Sequence, residues 1–452
     1  MSIAAAFVSQ LAGYAEREAL VCGGRVTLFS QLHTEMLHHA EALRAAGVQA
    51  GDVVTLEADY SAAAVAALLA LFHLRAIAVP LTPATETKKA HFRALSGASW
   101  SVTVDEAGHI APLPLPHRIE HPLLGELRGS GHGGLVLFSS GSTGAHKAAV
   151  HDIERLLAKY MKPRHCLRTL AFLQFDHIGG LDTLFYSLAN GSCLIAVDDR
   201  SPEAVCAAIA AHRVEVLPVS PSFINLLLLS GAHHRHDLSS LRVITYGAEV
   251  MPEATLVRLH AEFPDIKLLQ KFGTTEIGTL RSQSRESGSV WVKVGGEGCA
   301  IRIVDGLLEI KAPSAMLGYL NAPSPFTDDG WFKTGDAVDV DGEWLRILGR
   351  RVETINVGGE KVFPAEVEGV LEELAGVEEA TVVGEANAIL GNIVVARVKL
   401  TAPESLGAFR SRMLAHCRAR LPAYKIPQKV VLTEHSSATG RFKKLRQHAP
   451  VA

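Results

Sequence analysis

The apolar and polar positions of the chain follow two rhythms that predict helices and strands in alternation. Helical spacing appears at 33–46 and 61–75, and short apolar runs typical of buried strands occur at 53–56 and 76–79. Further apolar runs, with helical stretches between several of them, predict strands at 135–138, 170–175, 193–197, 214–219, 241–246 and 266–269. Such alternation predicts an α/β fold with mostly parallel sheets covered by helices.

The clearest single helix is expected from Pro202 to His212. Ser201 supplies a side chain that suits the N-cap, Pro202 suits the first turn, and an alanine-rich stretch follows. These signals lie within a few residues of one another, so they do not depend on the rest of the fold.

The pattern changes after about residue 288. Short β-like runs at 289–294, 300–304 and 307–310 are separated by Gly and Asp turns, which predicts a small β-rich subdomain over about 288–349. From 351 onwards, helices are expected around 365–374 and 403–420, and strands around 379–384 and 393–400. The predicted organisation is a large N-terminal domain over 1–349 and a smaller, mobile α+β domain over 350–452, with a hinge at 349–352.

Bulk composition narrows the class of protein. A chain of 452 residues is too long for one core, and 48% apolar with 20% charged residues is ordinary for a globular protein. The net charge of −3 gives no basic excess to attract nucleic acid. Six scattered cysteines without metal spacing, and an N-terminus unlike a signal peptide, favour a reduced, cytoplasmic protein. The longest apolar run, 62–72, is too short to span a membrane.

One segment has the chemistry of a phosphate-binding loop. The apolar run 134–138 leads directly into SSGSTGAHK, from Ser139 to Lys147. Two glycines let such a loop bend and present backbone N–H groups and hydroxyls to a phosphate chain, and the lysine adds a positive charge. The spacing is not that of the common P-loop. A run of this composition is also typical of a plain surface loop, so this segment alone leaves both readings open.

Four further segments carry a resemblance to a known family. They are Lys271-Phe-Gly-Thr-Thr-Glu276, Gly330-Trp-Phe-Lys-Thr-Gly-Asp336, the run 349–368 opening with Gly349-Arg350, and a tail with Tyr424-Lys-Ile-Pro427 followed by 437–446. In this order the segments resemble the adenylate-forming enzyme superfamily, which contains acyl- and aryl-CoA synthetases, adenylation domains of peptide synthetases and beetle luciferases. The resemblance covers roughly residues 20–447 and is nearest to a short, stand-alone acyl-CoA or acyl-carrier-protein ligase.

The resemblance implies a two-step reaction that uses ATP and Mg²⁺. A small carboxylic acid attacks the α-phosphate of ATP to give acyl-AMP and pyrophosphate. The thiol of CoA, or of the phosphopantetheine on a carrier protein, then takes the acyl group and releases AMP. Two alternatives stay open at this point. The adenylate could pass to an amine or another acceptor, or the chain could be a catalytically impaired nucleotide-binding relative.

The resemblance also implies roles for individual residues. The phosphates of the nucleotide would be bound by Ser139, Ser140, Gly141, Ser142, Thr143, Gly144 and Lys147. The adenine would be bound by Tyr246, Gly247, Ala248 and Glu249, and the ribose by Asp336 and Arg350. The nucleotide would also be bound near its α-phosphate by Phe272, Gly273 and Thr274. The catalytic residues would be Lys443, His177, Thr275 and Glu276, with Glu276 also holding Mg²⁺. The acid would be bound by His177, Tyr246, Gly247, Gly273 and Ile277.

Several positions admit another interpretation. The family's adenylation lysine follows a glycine, whereas here Arg441 follows Gly440; the Lys-x-x-Arg spacing instead selects Lys443, which we prefer. Arg350 could form a surface ion pair with Glu353, and His177 could be structural. Ile178 stands where peptide-synthetase domains usually have Asp, which disfavours an α-amino acid and leaves an aromatic or aliphatic monocarboxylate as the default.

Overall fold

The computed structural model describes residues 2–116, 119–140, 146–296, 298–435, 444 and 446. Its helices are α1 (Ile3–Ala12), α2 (Phe29–Ala46), α3 (Ala62–His73), α4 (Lys89–Ser96), α5 (Pro122–Ser130), α6 (Ile153–Leu157), α7 (Ile178–Ala189), α8 (Pro202–His212), α9 (Pro221–Ser230), α10 (Glu253–Glu262), α11 (Pro364–Glu372) and α12 (Leu406–Arg418).

The strands up to residue 284 are β1 (Glu18–Cys22), β2 (Arg25–Leu28), β3 (Val53–Glu57), β4 (Ile77–Leu81), β5 (Trp100–Val104), β6 (Ile110–Pro114), β7 (Gly134–Ser140), β8 (His146–Asp152), β9 (Thr169–Ala171), β10 (Leu194–Ala196), β11 (Val216–Val219), β12 (Val243–Tyr246), β13 (Lys267–Gln270), β14 (Gly273–Thr274), β15 (Gly278–Thr279) and β16 (Arg281–Ser284). The later strands are β17 (Trp291–Gly295), β18 (Ala300–Val304), β19 (Leu307–Lys311), β20 (Gly318–Tyr319), β21 (Phe332–Asp341), β22 (Trp344–Arg350), β23 (Ile355–Val357), β24 (Glu360–Val362), β25 (Val377–Asn387), β26 (Gly391–Leu400) and β27 (Lys429–Leu432).

Two large sheets share one apolar core. Their strand orders are β13-β12-β11-β9-β10-β1-β2 and β20-β8-β7-β4-β3-β5-β6. Residues of both sheets pack with α3 and α7 in a single buried cluster. Ten of the twelve residues of α3 are buried, as expected for a helix that is apolar on every side. This arrangement confirms the predicted α/β fold with helix-covered, mostly parallel sheets.

Two smaller sheets follow in the chain. The first has the order β16-β17-β22-β21-β19-β18, is antiparallel throughout, and has its own apolar cluster. The second joins β24, β23, β26, β25 and β27, and packs against α11 and α12 around a separate cluster. The β-rich sheet therefore begins at Arg281, a few residues before the expected start near 288.

Local sequence signals predicted the bounds of some helices and strands correctly and made other elements too long. The helix α8 has the predicted bounds, and the Ser201 side chain accepts a hydrogen bond from the backbone N–H of Ala204. The expectation of a strand over 170–175 was wrong beyond Ala171, because the chain leaves the sheet there. Phe172 and Phe175 stay buried in the two neighbouring clusters without being part of the strand. Among the described residues, no helix is long and apolar enough to cross a membrane.

Candidate active site

The glycine-rich run joins two paired strands. β7 and β8 are antiparallel, and their register sets Ser139 opposite Lys147 and Ser140 opposite His146. The predicted phosphate ligands Gly141, Ser142, Thr143 and Gly144 lie outside the described residues. The two residues that flank this part of the chain, Ser140 and His146, are paired in the ladder at one end of the sheet.

Lys147 is linked to Glu276 through a tyrosine that the sequence did not single out. The Lys147 Nζ atom lies 5.2 Å from the centre of the Tyr319 ring, and the Tyr319 hydroxyl donates a hydrogen bond to Oε1 of Glu276. Tyr319 reaches this position because β20 pairs with β8. The structure therefore brings together two residues, Lys147 and Glu276, that are 129 positions apart in the chain.

The loop that carries Thr275 and Glu276 is a tight hairpin. A Cβ atom on Gly273 would lie 2.7 Å from Cα of Thr279, so only glycine fits there without a shift of the backbone. The Thr274 hydroxyl accepts a hydrogen bond from the Glu276 N–H (3.3 Å). Ile277 is fully buried and packs in the apolar cluster of the β-rich sheet together with Phe272. Its predicted contact with the acid remains a prediction.

A buried histidine packs behind this loop. His151 on β8 is 1% exposed. Burial lowers its pKa to about 4, although the Thr275 backbone and the Glu276 carboxylate both act in the opposite direction. The imidazole is therefore neutral at neutral pH, next to the two predicted catalytic residues.

We expect His151 to make the protein less stable in mild acid. A histidine whose pKa falls from 6.5 to about 4 on folding contributes stability that is present above pH 6.5 and is lost as the pH falls towards 4. The free energy of unfolding should drop by roughly 3 kcal/mol across that window from this group alone. Urea unfolding at pH 7 and pH 4.5 measures it, and His151→Gln should show a smaller drop than the parent protein.

The Tyr246–Glu249 loop begins where β12 ends at the carboxyl edge of its sheet. A Cβ atom on Gly247 would lie 2.6 Å from the carbonyl oxygen of Lys271, and Ala248 adopts a φ of +69°, which is unusual for a residue with a side chain. The Tyr246 ring belongs to the apolar core, whereas Glu249 accepts a hydrogen bond from the Ser222 hydroxyl (2.6 Å). The loop thus offers its backbone polar groups and the carboxylate of Glu249.

Asp336 and Arg350 face each other on adjacent strands. The register of β21 and β22 sets them opposite, and the Arg350 Nε atom lies 3.7 Å from Oδ1 of Asp336. Burial raises the pKa of Asp336 to about 6, even though Arg350 opposes that rise. Glu353 pairs with Arg446 instead, so the alternative of an Arg350–Glu353 surface pair is wrong.

His177 occupies the N-cap of α7. Its Nδ1 atom accepts a hydrogen bond from the N–H of Gly179 (3.1 Å). The next residue, Gly180, cannot carry a side chain, because a Cβ atom would lie 2.0 Å from the carbonyl oxygen of Gln174. Asp182, on the same helix, accepts hydrogen bonds from Lys159 and Tyr160.

The C-terminal basic segment is anchored by acidic residues. Arg441 and Lys443, the two candidates for the adenylation cation, lie outside the described residues. The Lys444 N–H donates to Oε1 of Glu249 (2.8 Å), which ties this segment to the loop after β12. Its ammonium group contacts two carboxylates on α11, those of Glu372 (2.6 Å) and Glu368 (3.4 Å).

Arg446 completes a buried ion-pair cluster. Two of its nitrogens bond Glu368, at 2.9 and 2.7 Å, and a third bonds Glu353 (2.7 Å). Burial alone would raise the pKa of Glu368, but Lys444 and Arg446 together lower it to about 2. Among the described residues, Glu372 pairs with the cation of Lys444 alone, so burial prevails and its pKa is raised. We call Glu353, Glu368, Glu372, Lys444 and Arg446 the Glu368 cluster.

Comparison with known proteins agrees with this geometry. A family model described as AMP-binding enzyme matches residues 7–122 and 131–320, and one described as AMP-binding enzyme C-terminal domain matches 366–443. A 3-[(3aS,4S,7aS)-7a-methyl-1,5-dioxo-octahydro-1H-inden-4-yl]propanoyl:CoA ligase of Mycobacterium tuberculosis is 30% identical, with 92% of each chain covered. An indoleacetate–CoA ligase of Aromatoleum aromaticum is 29% identical over 69% of this chain, and the match spans 66% of that ligase.

Solved structures extend the likeness to almost the whole chain. The o-succinylbenzoate CoA synthetase of Bacillus subtilis, in complex with its acyl-adenylate intermediate, superposes with a TM-score of 0.79 at 25% identity, covering 99% of this chain and 98% of its own. An anthranilate CoA ligase in complex with anthranoyl-AMP gives a TM-score of 0.84 at 21% identity, covering 98% and 95%.

Proposed function

The chain belongs to the AMP-binding enzyme family, and we propose that it is an ATP-dependent carboxylic acid–thiol ligase. The observation that carries the proposal is the connection of Lys147, Tyr319 and Glu276 at one end of the β7–β8 hairpin. It sets a cation and a carboxylate on the same tyrosine, at the end of β8 that follows the glycine-rich run in the sequence. That is the arrangement phosphoryl chemistry needs, since positioning and charge neutralisation supply most of its catalysis.

In the first step, a carboxylate oxygen of the acid bonds to the α-phosphorus of ATP, and the bond from that phosphorus to the β-phosphate oxygen breaks. We propose that Lys147 and the run 139–144 hold the departing pyrophosphate. Thr275 would offer its hydroxyl to the α-phosphate, and Lys443 would stabilise the negative charge that builds on the oxygens of the reacting groups. His177, at the N-cap of α7, would border the acid.

Glu276 fits a magnesium ion by its chemistry. Magnesium prefers oxygen ligands, usually one or two carboxylates together with substrate phosphates. The Tyr319 hydroxyl bonds only Oε1 of Glu276, and within the described residues Oε2 accepts no hydrogen bond. We propose that Glu276 holds Mg²⁺, which when bound would neutralise phosphate charge. Tyr319 orients this carboxylate.

In the second step, the thiol sulfur bonds to the acyl carbon, the bond from that carbon to the AMP oxygen breaks, and the thiol proton is released. We propose CoA as the acceptor, because the relatives named above are CoA ligases. A carrier-protein phosphopantetheine has the same reacting group and is the alternative. We also propose that the domain over 350–452 moves between the steps, with a hinge at 349–352, and that the protein is cytoplasmic, as its unpaired cysteines favour.

The test is to incubate the purified protein with Mg-ATP and a panel of carboxylic acids, and to measure pyrophosphate and AMP with and without CoA. Pyrophosphate with an acid, and AMP formation that rises with CoA, would support the ligase. Pyrophosphate release together with AMP formation that does not change with CoA would indicate a carrier protein or an amine as the acceptor. If no acid in a panel of aromatic, aliphatic and dicarboxylic members releases pyrophosphate, the impaired-relative alternative replaces it.

Asp336 should make ATP binding depend on pH. We propose that its carboxylate accepts hydrogen bonds from the ribose hydroxyls, and its pKa of about 6 means that it is protonated below that pH. Hydrogen bonds to a charged group contribute about 1.5–3 kcal/mol each. Asp336→Asn should therefore raise the KM for ATP by at least about tenfold at pH 7.5. The parent enzyme should lose ATP affinity as the pH falls below 6, and the variant should not.

Asp339 offers the matched control for that experiment. It lies on the same strand, β21, but is exposed. Asp339→Asn should leave the KM for ATP and its pH dependence unchanged. Equal effects from the two substitutions would contradict the assignment of Asp336 to the ribose.

A further inference from the structure

Two histidines and a glutamate form a cluster away from the site described above. His233 and His234 end the turn that follows α9, and Glu262 is the last residue of α10. Both helices begin just beyond the carboxyl edge of the parallel sheet, where β11 and β12 end, and each is about 15 Å long. The cluster therefore lies at the opposite edge of that sheet from the Tyr246–Glu249 loop.

Two of the distances between these side chains are close to those between ligands of one metal ion. Nε2 of His233 lies 3.5 Å from Oε2 of Glu262, and Nε2 of His234 lies 3.6 Å from the same oxygen. One ligand atom from each of the three lies within 4.8 Å of the others. Ligands bonded to zinc at about 2.0–2.1 Å in tetrahedral geometry are about 3.3–3.4 Å apart. The observed distances are also too long for ordinary N–H···O hydrogen bonds.

The second observation is the state of His233. Its side chain is only 4% exposed, and neither of its ring nitrogens makes a hydrogen bond. A buried polar group without a hydrogen-bond partner is costly and uncommon. A metal ion at the cluster would satisfy Nε2 of His233, while His234 and Glu262, both more exposed, leave a path for the ion to enter.

We propose that His233, His234 and Glu262 bind a divalent metal ion of the zinc class, with water as the fourth ligand. Imidazole nitrogen and carboxylate oxygen are ligands that zinc accepts. The ion would fasten the turn after α9 to the end of α10 and would take no part in the reaction, since the cluster is at the far edge of the sheet.

The experiment uses the full chain without an affinity tag, titrated with Zn²⁺ by calorimetry. We expect a site of one ion per chain that weakens at least tenfold in His234→Ala and in Glu262→Gln. His236→Ala is the matched control, because this neighbouring histidine pairs with Glu203 instead and should leave the site intact. Zn²⁺ should also raise the Tm of the parent protein, but not that of the two variants.

A spectroscopic measurement separates this site from the other histidines. Co²⁺ in place of Zn²⁺ should give the visible absorption of a four-coordinate ion, and that band should vanish in Glu262→Gln. The proposal is overturned if His234→Ala and Glu262→Gln bind Zn²⁺ as the parent protein does, or if His236→Ala weakens binding as much as they do.

Discussion

Replacing Lys443 by alanine is expected to reduce pyrophosphate release with the best acid by about 10²–10³-fold, the range seen when one group that stabilises transition-state charge is removed. The assignment rests on the Lys-x-x-Arg spacing, and the structure narrows the other candidates in the segment. Of the four basic residues between 441 and 446, Lys444 and Arg446 are engaged by buried carboxylates. Arg441 and Lys443 are therefore the candidates that this segment leaves for the reacting phosphate.

The matched control for that experiment is Arg441→Ala. If Lys443 is the adenylation cation, Arg441→Ala should retain most of the activity, while thioester formation from added acyl-AMP should survive in both variants. The reverse result, with Arg441→Ala inactive and Lys443→Ala active, would transfer the role to Arg441. A guanidinium would then do what a lysine does in the family, despite its different shape and reach.

Replacing Glu368 by alanine is expected to lower the free energy of unfolding by about 3–5 kcal/mol, because it would remove the one buried carboxylate that bonds both Lys444 and Arg446 and would leave each of these cations with a single partner. Glu368 is 1% exposed and also accepts a hydrogen bond from the Val382 N–H (2.9 Å). Urea unfolding monitored by the fluorescence of the folded protein measures the loss. Because folding lowers the pKa of Glu368, its contribution to the free energy of unfolding is present above about pH 4.5 and is lost as the pH falls towards 2.

Glu366 provides the control on the same helix. It pairs with Lys425 at the surface, where the Glu366 side chain is 39% exposed, and such pairs contribute about 0–1 kcal/mol. Glu366→Ala should therefore change stability little. If the two substitutions cost the same, the Glu368 cluster would not be the buried network that its geometry indicates.

The sequence predicted those structural features that are determined by residues close together in the chain. The cap at Ser201 and the proline after it fixed the start of α8, and the alternation of apolar runs predicted the class of fold. The motifs also pointed to Asp336 and Arg350, which the structure pairs across β21 and β22, whereas their binding of the ribose stays a prediction. These successes share a cause, since each signal is complete within a short window or within a known motif.

The contacts that the sequence did not predict are made between residues far apart in the chain. Tyr319 bonds Glu276 only because the two-residue strand β20 adds to the edge of a sheet whose partner strand begins at His146. Glu368 had the appearance of an ordinary polar position on a helix, and its partner Arg446 is 78 residues away in the chain. The strand over 170–175 was overextended because apolar side chains can be buried on either side of the residue where pairing stops.

The hydrogen bond from the Lys444 N–H to Glu249 sets how easily the proposed hinge motion starts. The ammonium of Lys444 and the guanidinium of Arg446 are bound to α11 and Glu353, so they would travel with the small domain and keep their counter-charges. The bond that the proposed rotation would break at this point is a hydrogen bond from a backbone amide, which contributes about 1.5–3 kcal/mol because its acceptor is charged. The Glu368 cluster would thus make Lys444 and Arg446 part of the moving body, and the proposed rotation would leave the ion pairs of that cluster intact.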